Sequence, residues 1–339
     1  MPERAQLIAK IPKLEECFVL FSALTKLPYT VENAETADDE IYLFENQTDA
    51  LVKAKQLTRE NDPVTTVKCT RDNLLKFLST LFTCGINSIV FRTVNDEVSF
   101  QLDELIRRNP ANNVDEKRRP PENQSLMINM IYYFQEARKP ESIRNKQKLL
   151  SIEPELLKNV RDADYLMLFQ EKEADGKKLR MPVVLKSRQK KTTADNTADN
   201  TSDKTTDKIT DNTADKTTGG TSENSNAETE DKSSDTQELM WIPLFTDIHE
   251  LEKFKSQKEM VIMKANLRTL SAVQTNLDLQ GYIIDPGSVA MPITLELMKK
   301  LMAQQSGAAD NTESHDTDGT TDNIIRGAFK IANEAFNNK

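Results

Sequence analysis

The sequence predicts an α/β protein made of two small mixed-sheet domains of related topology, with helices packed on the sheets. Three observations predict it. One order of apolar strands and amphipathic helices runs along the chain twice. A Thr/Asp-rich stretch falls inside the second run rather than between the two. At 339 residues, with 37% hydrophobic and 29% charged side chains, the chain also holds enough apolar material for two modest cores.

In the first run, "CFVLFSA" (17–23) reads as a strand, and "IYLFEN" (41–46) is a second apolar run ending at a helix start. "QTDALVKAKQLTREN" places Ala50, Leu51, Ala54 and Leu57 on one helical face. "PVTTVKC" is β-branched and strand-like. Thr70 then caps a helix carrying Leu74, Leu75, Leu78 and Leu81. Gly85 ends that helix, "SIVFRT" and "EVSFQL" are strands, and "DELIRR" is a closing turn of helix.

The second run repeats the order with "DYLMLFQ", "MWIPLFTD", the helix "IHELEKFKSQ", the strand "MVIMKAN" and the helix "LRTLSAVQTNLDLQG". "YIIDPGSVAMPITLELMKKL" supplies its last strands and helix. Gly85 and Gly281 are expected at matching helix ends, where a positive φ is easiest for glycine. "LRMPVVLKS" and "MWIPLFTD" are expected as neighbouring strands, which puts the Thr/Asp-rich stretch inside the second sheet. The expected organisation is a first, degenerate module over 1–108, a linker at 109–124 and connecting helices at 125–162. A second module over 163–305 follows, interrupted by a disordered insert at 190–238. An acidic tail at 306–323 and a short amphipathic helix at 324–337 complete the chain.

Asp recurs at 195, 199, 203, 207, 211 and 215, so a helix there would align like charges with no apolar face in return. Lacking the glycine turns of a calcium-binding roll, the repeat reads as a solvated spacer. Residues 191–237 carry a net charge of −6 and residues 306–323 carry −5, against −9 for the whole chain. The predicted folded parts are therefore close to neutral, which gives no grounds for a nucleic-acid surface. No segment reaches the roughly 20 apolar residues of a membrane span, and no signal peptide is apparent, so a cytoplasmic location is expected. Cys17, Cys69 and Cys84 lack metal-ligand spacing and read as buried reduced thiols.

Residues that could carry chemistry are few. His249 and His315 are the two histidines. His249 follows Asp247, an expected helix N-cap, and reads as a surface residue. Glu250 and Glu252 read as a solvated helix face. No catalytic triad, zinc cluster, dinucleotide fingerprint or P-loop occurs, and with 9 glycines a Gly-rich phosphate cradle is excluded. Trp241 reads as a partly exposed anchor, Pro243 as a sign of a strand edge or end, and Phe245 as core. Asp285-Pro286-Gly287 fits a type II turn, with Gly287 at the position needing positive φ.

Two blocks resemble the SseB family. In "IPLFTDIHELEKF", the matching positions are Pro243, Phe245, Thr246, Asp247, Glu250, Leu251 and Phe254. In "GYIIDPGSVAMPITLELMKKL" they are Gly281, Ile283, Ile284 and Pro286, with Asp285 where that family often has Asn. The first run looks like a worn copy of the same module. The resemblance implies small α/β modules of bacterial cytoplasmic proteins and no agreed enzymatic activity.

The expectation is thus a non-catalytic protein, without a cofactor or metal, that binds a partner protein or small regulatory ligand. Its site is placed at Trp241, Phe245, Thr246, Asp247, Asp285, Pro286 and Gly287, where two turns meet at one end of the second sheet. The alternatives are an enzyme using Asp247, His249 and Asp285 for acid/base work, and an assembly adaptor docking through the helix at 324–337.

Overall fold

The computed structural model describes residues 4–107, 119–174, 176–190, 236–254, 260–273 and 278–305. The repeating Asp segment, the acidic tail and the helix expected at 324–337 lie outside these residues.

The chain opens with α1 (Arg4–Lys10) and a single 3-10 turn (Ile11–Lys13). The first sheet follows: β1 (Glu16–Ser22), β2 (Thr30–Asn33), β3 (Asp38–Phe44), α2 (Gln47–Arg59), β4 (Val64–Thr70), α3 (Arg71–Thr83), β5 (Ser88–Arg92), β6 (Glu97–Gln101) and α4 (Leu102–Leu105). Two helices come next, α5 (Gln124–Ala137) and α6 (Lys146–Asp162). The second sheet begins with β7 (Asp164–Ala174), β8 (Lys177–Pro182), β9 (Leu185–Lys190) and β10 (Thr236–Phe245). It ends with α7 (Ile248–Lys253), β11 (Met260–Asn266), α8 (Leu267–Val273), β12 (Gly281–Ile284), β13 (Met291–Thr294) and α9 (Leu295–Gln305).

The sheets run β4-β1-β3-β5-β6 and β11-β7-β10-β12-β13, so strands of corresponding rank occupy corresponding places. The pairing matches residue by residue. Phe18 faces Phe44 across β1 and β3, and Leu166 faces Phe245 across β7 and β10. In the parallel pairs, Leu43 faces Phe91 and Leu244 faces Ile284. The Phe21–Pro28 bridge answers to Phe169 opposite Pro182. The next bond is also shared, Tyr29 N to Leu20 O at 2.8 Å and Val183 N to Leu168 O at 2.9 Å. A slip of one residue in any of these ladders would turn its side chains to the wrong face. Shared register therefore carries the case for related halves further than sequence identity could.

Alternation along the strands makes two layers of contact. Cys17, Val19, Ile41 and Leu43 of the first sheet face inward, as do Tyr165, Met167, Ile242 and Leu244 of the second. They share one continuous core with Leu78 and Leu81 of α3, Met130 and Phe134 of α5, Leu156 of α6 and Leu297 of α9. Phe18, Leu20 and Phe44 turn outward under Ala50, Ala54 and Leu57 of α2. Leu166, Leu168 and Phe245 turn outward under Leu251 of α7. Arg138 joins the halves by donating to the carbonyls of Leu24, at 2.7 Å, and Val289. Asn123 Nδ2 donates to the carbonyls of Asp164 and Thr246, both at 2.7 Å.

Three local expectations change. Gly281 is the first residue of β12, not a helix end, and the last described residue of α8 is Val273. By register its counterpart is Ser88, since Gly281 faces Thr294 as Ser88 faces Gln101. A glycine is needed there because a Cβ would lie 2.1 Å from Ile293 O, with φ at +156°. Gly85 does close a helix, at φ +77°. Pro243 sits in a central strand, not at an edge. It falls between Trp241, the last residue paired with β9, and Leu244, the first paired with β7, where no ladder bond is asked of it. "LRMPVVLKS" divides at Val183-Val184 between β8 and β9, and β9 pairs with β10 as expected.

Candidate functional site

Parallel pairing of β10 with β12 brings together the turns that follow them. Asp285 Oδ1 accepts the Thr246 N–H at 2.9 Å and Oδ2 accepts the Thr246 hydroxyl at 2.7 Å. Asp247 caps α7, accepting from the N–H groups of His249 at 2.7 Å and Glu250 at 2.9 Å. Glu250 accepts the Ser288 hydroxyl at 2.7 Å and is paired with Lys253. Phe245, Thr246, Asp247, Glu250 and Asp285 are all buried. Of the residues expected to form a binding surface here, Pro286 is half-buried and Gly287 exposed.

Burial, and then the charge of Glu250, holds Asp285 well above the ordinary carboxylate pKa, against the two bonds from Thr246. Burial opposes the charge of Lys253, but Glu250 outweighs it and keeps the ammonium above the usual lysine value. Cys84, from the first half, is buried beside this cluster and its thiol is pushed up by burial. Chemically the arrangement is a closed polar junction that fixes two turns against each other.

Several expectations are corrected here. Trp241 is 1% exposed, packed with Leu239 and Ile283. It lies on the outer face of a central strand, where Leu185 and Ala290 cover it. Glu250 is not part of a solvated face, since the first turn of α7 faces the junction while Glu252 points outward. The turn after β12 is not type II. Gly287 has no positive φ; Asp285 (+47°) and Ala290 (+49°) do, and Asp285 O accepts from Ser288 N at 3.0 Å and Ala290 N at 2.9 Å. The two bonds to one carbonyl close the turn on Asp285, with the positive φ values at its two ends rather than at Gly287. The acid/base trio does not assemble: Asp247 is bonded to main chain, Asp285 to Thr246, and His249 Nδ1 lies 3.8 Å from Glu252. Register places Arg92 and Glu45 where the second half has Asp285 and Thr246, so the first half lacks this junction.

An open site lies elsewhere. A groove of about 610 Å³ runs between β2 and the α5–α6 pair. Ile128, Tyr132 and Gln135, at helical spacing on α5, form one wall, with Lys148 and Ile152 of α6 beside them. Thr30 and Glu32 of β2, with Asp39 of β3, form the other. Gln135 pairs its amide with the main chain of Thr30, accepting from N at 3.1 Å and donating to O at 3.0 Å. The Tyr132 hydroxyl donates to Asp39 Oδ1 at 2.5 Å. Burial raises the Asp39 pKa, helped by Glu32 and Asp38 and opposed by Tyr132. Asp62 accepts from Tyr29 at 3.1 Å and pairs at 2.7 Å with Lys139, which also holds Glu136 at 3.0 Å. Among the described lining residues Glu32, Asp39, Asp62 and Glu136 are acidic and Lys148 is basic; Lys139 pairs with Asp62 and Glu136 from behind, so the acidic character rests on Glu32 and Asp39.

No local motif announced this groove. Its residues come from segments far apart in sequence, and the polar Asn129, Tyr132, Gln135 and Glu136 among the apolar residues of α5 are the one signal that could have found it. Among the described residues no group of three or more His, Cys, Asp or Glu is placed to hold a metal, and no helix is long and apolar enough to cross a membrane.

No family model and no curated protein matches the chain. Among solved structures, Tic22 from Plasmodium falciparum is similar over 88% of this chain and 97% of that one, at 11% identity and a TM-score of 0.18. A likeness of that size carries no argument about fold or activity.

Proposed function

We propose that this protein is a non-catalytic binding module that holds a partner polypeptide in the acidic groove beside β2. The observation that carries the reading is the groove itself: main-chain and carboxylate groups converge on an open concavity whose floor is part apolar. The junction at Thr246, Asp247 and Asp285 is sealed and serves to position β10 and β12. Main-chain groups offered at a strand edge suit a polypeptide better than a small metabolite. Kinship with the SseB family and a cytoplasmic setting belong to the same proposal. The first rests on the residues matched above, and the second is in keeping with three unbridged thiols.

The test compares the wild-type protein with the double variant Glu32→Lys/Asp39→Lys as immobilised baits against a library of short peptides graded in charge. Preferential retention of basic peptides by the wild type, lost in the variant, supports the reading. Identical retention by both baits removes the groove from consideration.

A further inference from the structure

We propose that the groove is a strand acceptor: a short, extended, basic segment of the partner adds to the open edge of β2 at Glu32. The proposal rests on the groove being the binding face. It adds the mode of binding and the chemistry of the occupant.

The main chain fixes the geometry. Asp39 turns its N–H to Asn87 Oδ1 at 2.8 Å and receives Asn87 N–H on its carbonyl at 3.2 Å, so both groups face away from β2. Glu32 is opposite Asp39. In an antiparallel ladder that makes a non-hydrogen-bonded pair, and the Glu32 N–H and C=O face outward, toward α5. Thr30, two residues earlier, faces the same way, and the Gln135 amide supplies it with the two bonds a neighbouring strand would make. Gln135 therefore blocks the edge at Thr30 and leaves it open at Glu32. Beyond Glu32 the hairpin is self-contained: Asn33 O accepts Ala37 N at 2.8 Å and Asn33 Oδ1 accepts Glu35 N at 3.0 Å. An incoming strand gains two main-chain bonds at one residue, and its alternate side chains reach Asp39 and Tyr132 on one side.

Charge selects the occupant. Glu32 is exposed and lies opposite Asp39, whose pKa is raised by burial and then by Glu32 and Asp38, so a cation placed between the two carboxylates is favoured. An acidic edge also disfavours pairing between two copies of this chain, which would set Glu32 near Glu32. In the second half, register puts Lys186 where the first has Glu32, and Lys186 is neutralised by Glu238 at 3.0 Å. The acidic acceptor belongs to the first half.

The experiment is fluorescence anisotropy of the full chain with three fluorescein-labelled heptapeptides: alternating Val with Lys or Arg, the same with Glu or Asp, and the basic peptide N-methylated at alternate residues. The basic peptide should bind, more weakly as salt rises, and the acidic one should not. N-methylation should weaken binding about tenfold, and Glu32→Pro, which removes an N–H that β3 does not use together with the carboxylate, should bind about fivefold more weakly than Glu32→Gln with the melting temperature retained. Glu32→Gln and Asp39→Asn should each weaken it several-fold and flatten the salt dependence. If the N-methylated peptide binds normally and Glu32→Pro binds no more weakly than Glu32→Gln, while the two charge variants weaken binding, strand addition is wrong and the groove stands. If none of the variants matters, or the basic peptide does not bind, the strand acceptor fails; indifference of every variant removes the groove as well.

Discussion

The carboxylate of Asp285 holds Thr246 by both its N–H and its hydroxyl, at 2.9 and 2.7 Å, from a residue at φ +47°. One fully buried side chain thus ties the end of β10 to the turn after β12. The backbone it springs from is one that Asn and Asp tolerate better than other non-glycine residues.

Replacing Asp285 separates these contributions. Asp285→Ala leaves two buried donors unsatisfied and puts Ala at positive φ, and should cost about 2–4 kcal/mol in urea unfolding. In Asp285→Asn the amide oxygen still accepts and the amide nitrogen donates to the Thr246 hydroxyl, so stability near pH 7 should hold or rise. The folded pKa of Asp285 lies above its unfolded value. Its contribution is therefore present at low pH and declines as pH rises from the ordinary carboxylate range toward the raised value. The variant should lack that decline.

Gly281 and Gly287 should respond oppositely to alanine. At Gly281 the new Cβ meets the Ile293 carbonyl at 2.1 Å, within a two-stranded register that cannot open without losing the turn. A loss above about 4 kcal/mol, or no soluble protein, is expected. At Gly287 the nearest atom is Lys253 Cβ at 3.2 Å and φ is ordinary, so the cost should stay below about 1 kcal/mol. Thermal melting of the two variants side by side decides this.

Arg138 stacks its guanidinium 4.7 Å from the Phe134 ring centroid while bonding the carbonyls of Leu24 and Val289, one in each half. Burial lowers its pKa to about 10, which leaves it charged at neutral pH. Arg138→Ala should cost about 2–4 kcal/mol and lower the cooperativity of urea unfolding. Arg138→Lys should recover only part of this, because one ammonium cannot reproduce the two-armed fork.

Native alkylation should be slow and ordered. Cys17 and Cys84 are buried with raised pKa values, Cys17 chiefly through its bond to Cys69 and Cys84 through burial. The same Cys17 bond lowers the pKa of Cys69. Iodoacetamide followed by peptide mass mapping should find Cys69 modified first. Earlier labelling of Cys84 would mean that the junction between the halves opens.

The strands and helices were legible because one-sided burial writes itself into alternation. Val19 and Leu43 face the core while Phe18 and Phe44 face α2, and the same phase returns in Met167, Leu244, Leu166 and Phe245. Glycine misled where it serves two ends. Gly85 is used for its φ, and Gly281 for the absence of a Cβ against a neighbouring strand, so their similar surroundings in sequence did not make them equivalent. Thr246, Asp247 and Asp285 were found from their turn chemistry, which is also why they proved to be buried in a joint. The groove was not legible. Glu32, Asp39, Tyr132 and Lys148 meet only through tertiary folding, and each alone looks like an ordinary surface residue.

Lys190 and Thr236 are cross-strand partners, as Asn33 and Asp38 are in the first half, where only four residues intervene. Both exits of the stretch between them are clamped side by side. Insertion or deletion between those exits leaves the pairing of β9 with β10 in register. A single protease cut within it should leave two fragments that still migrate together on a sizing column, so selection can resize this protein there without redrawing it.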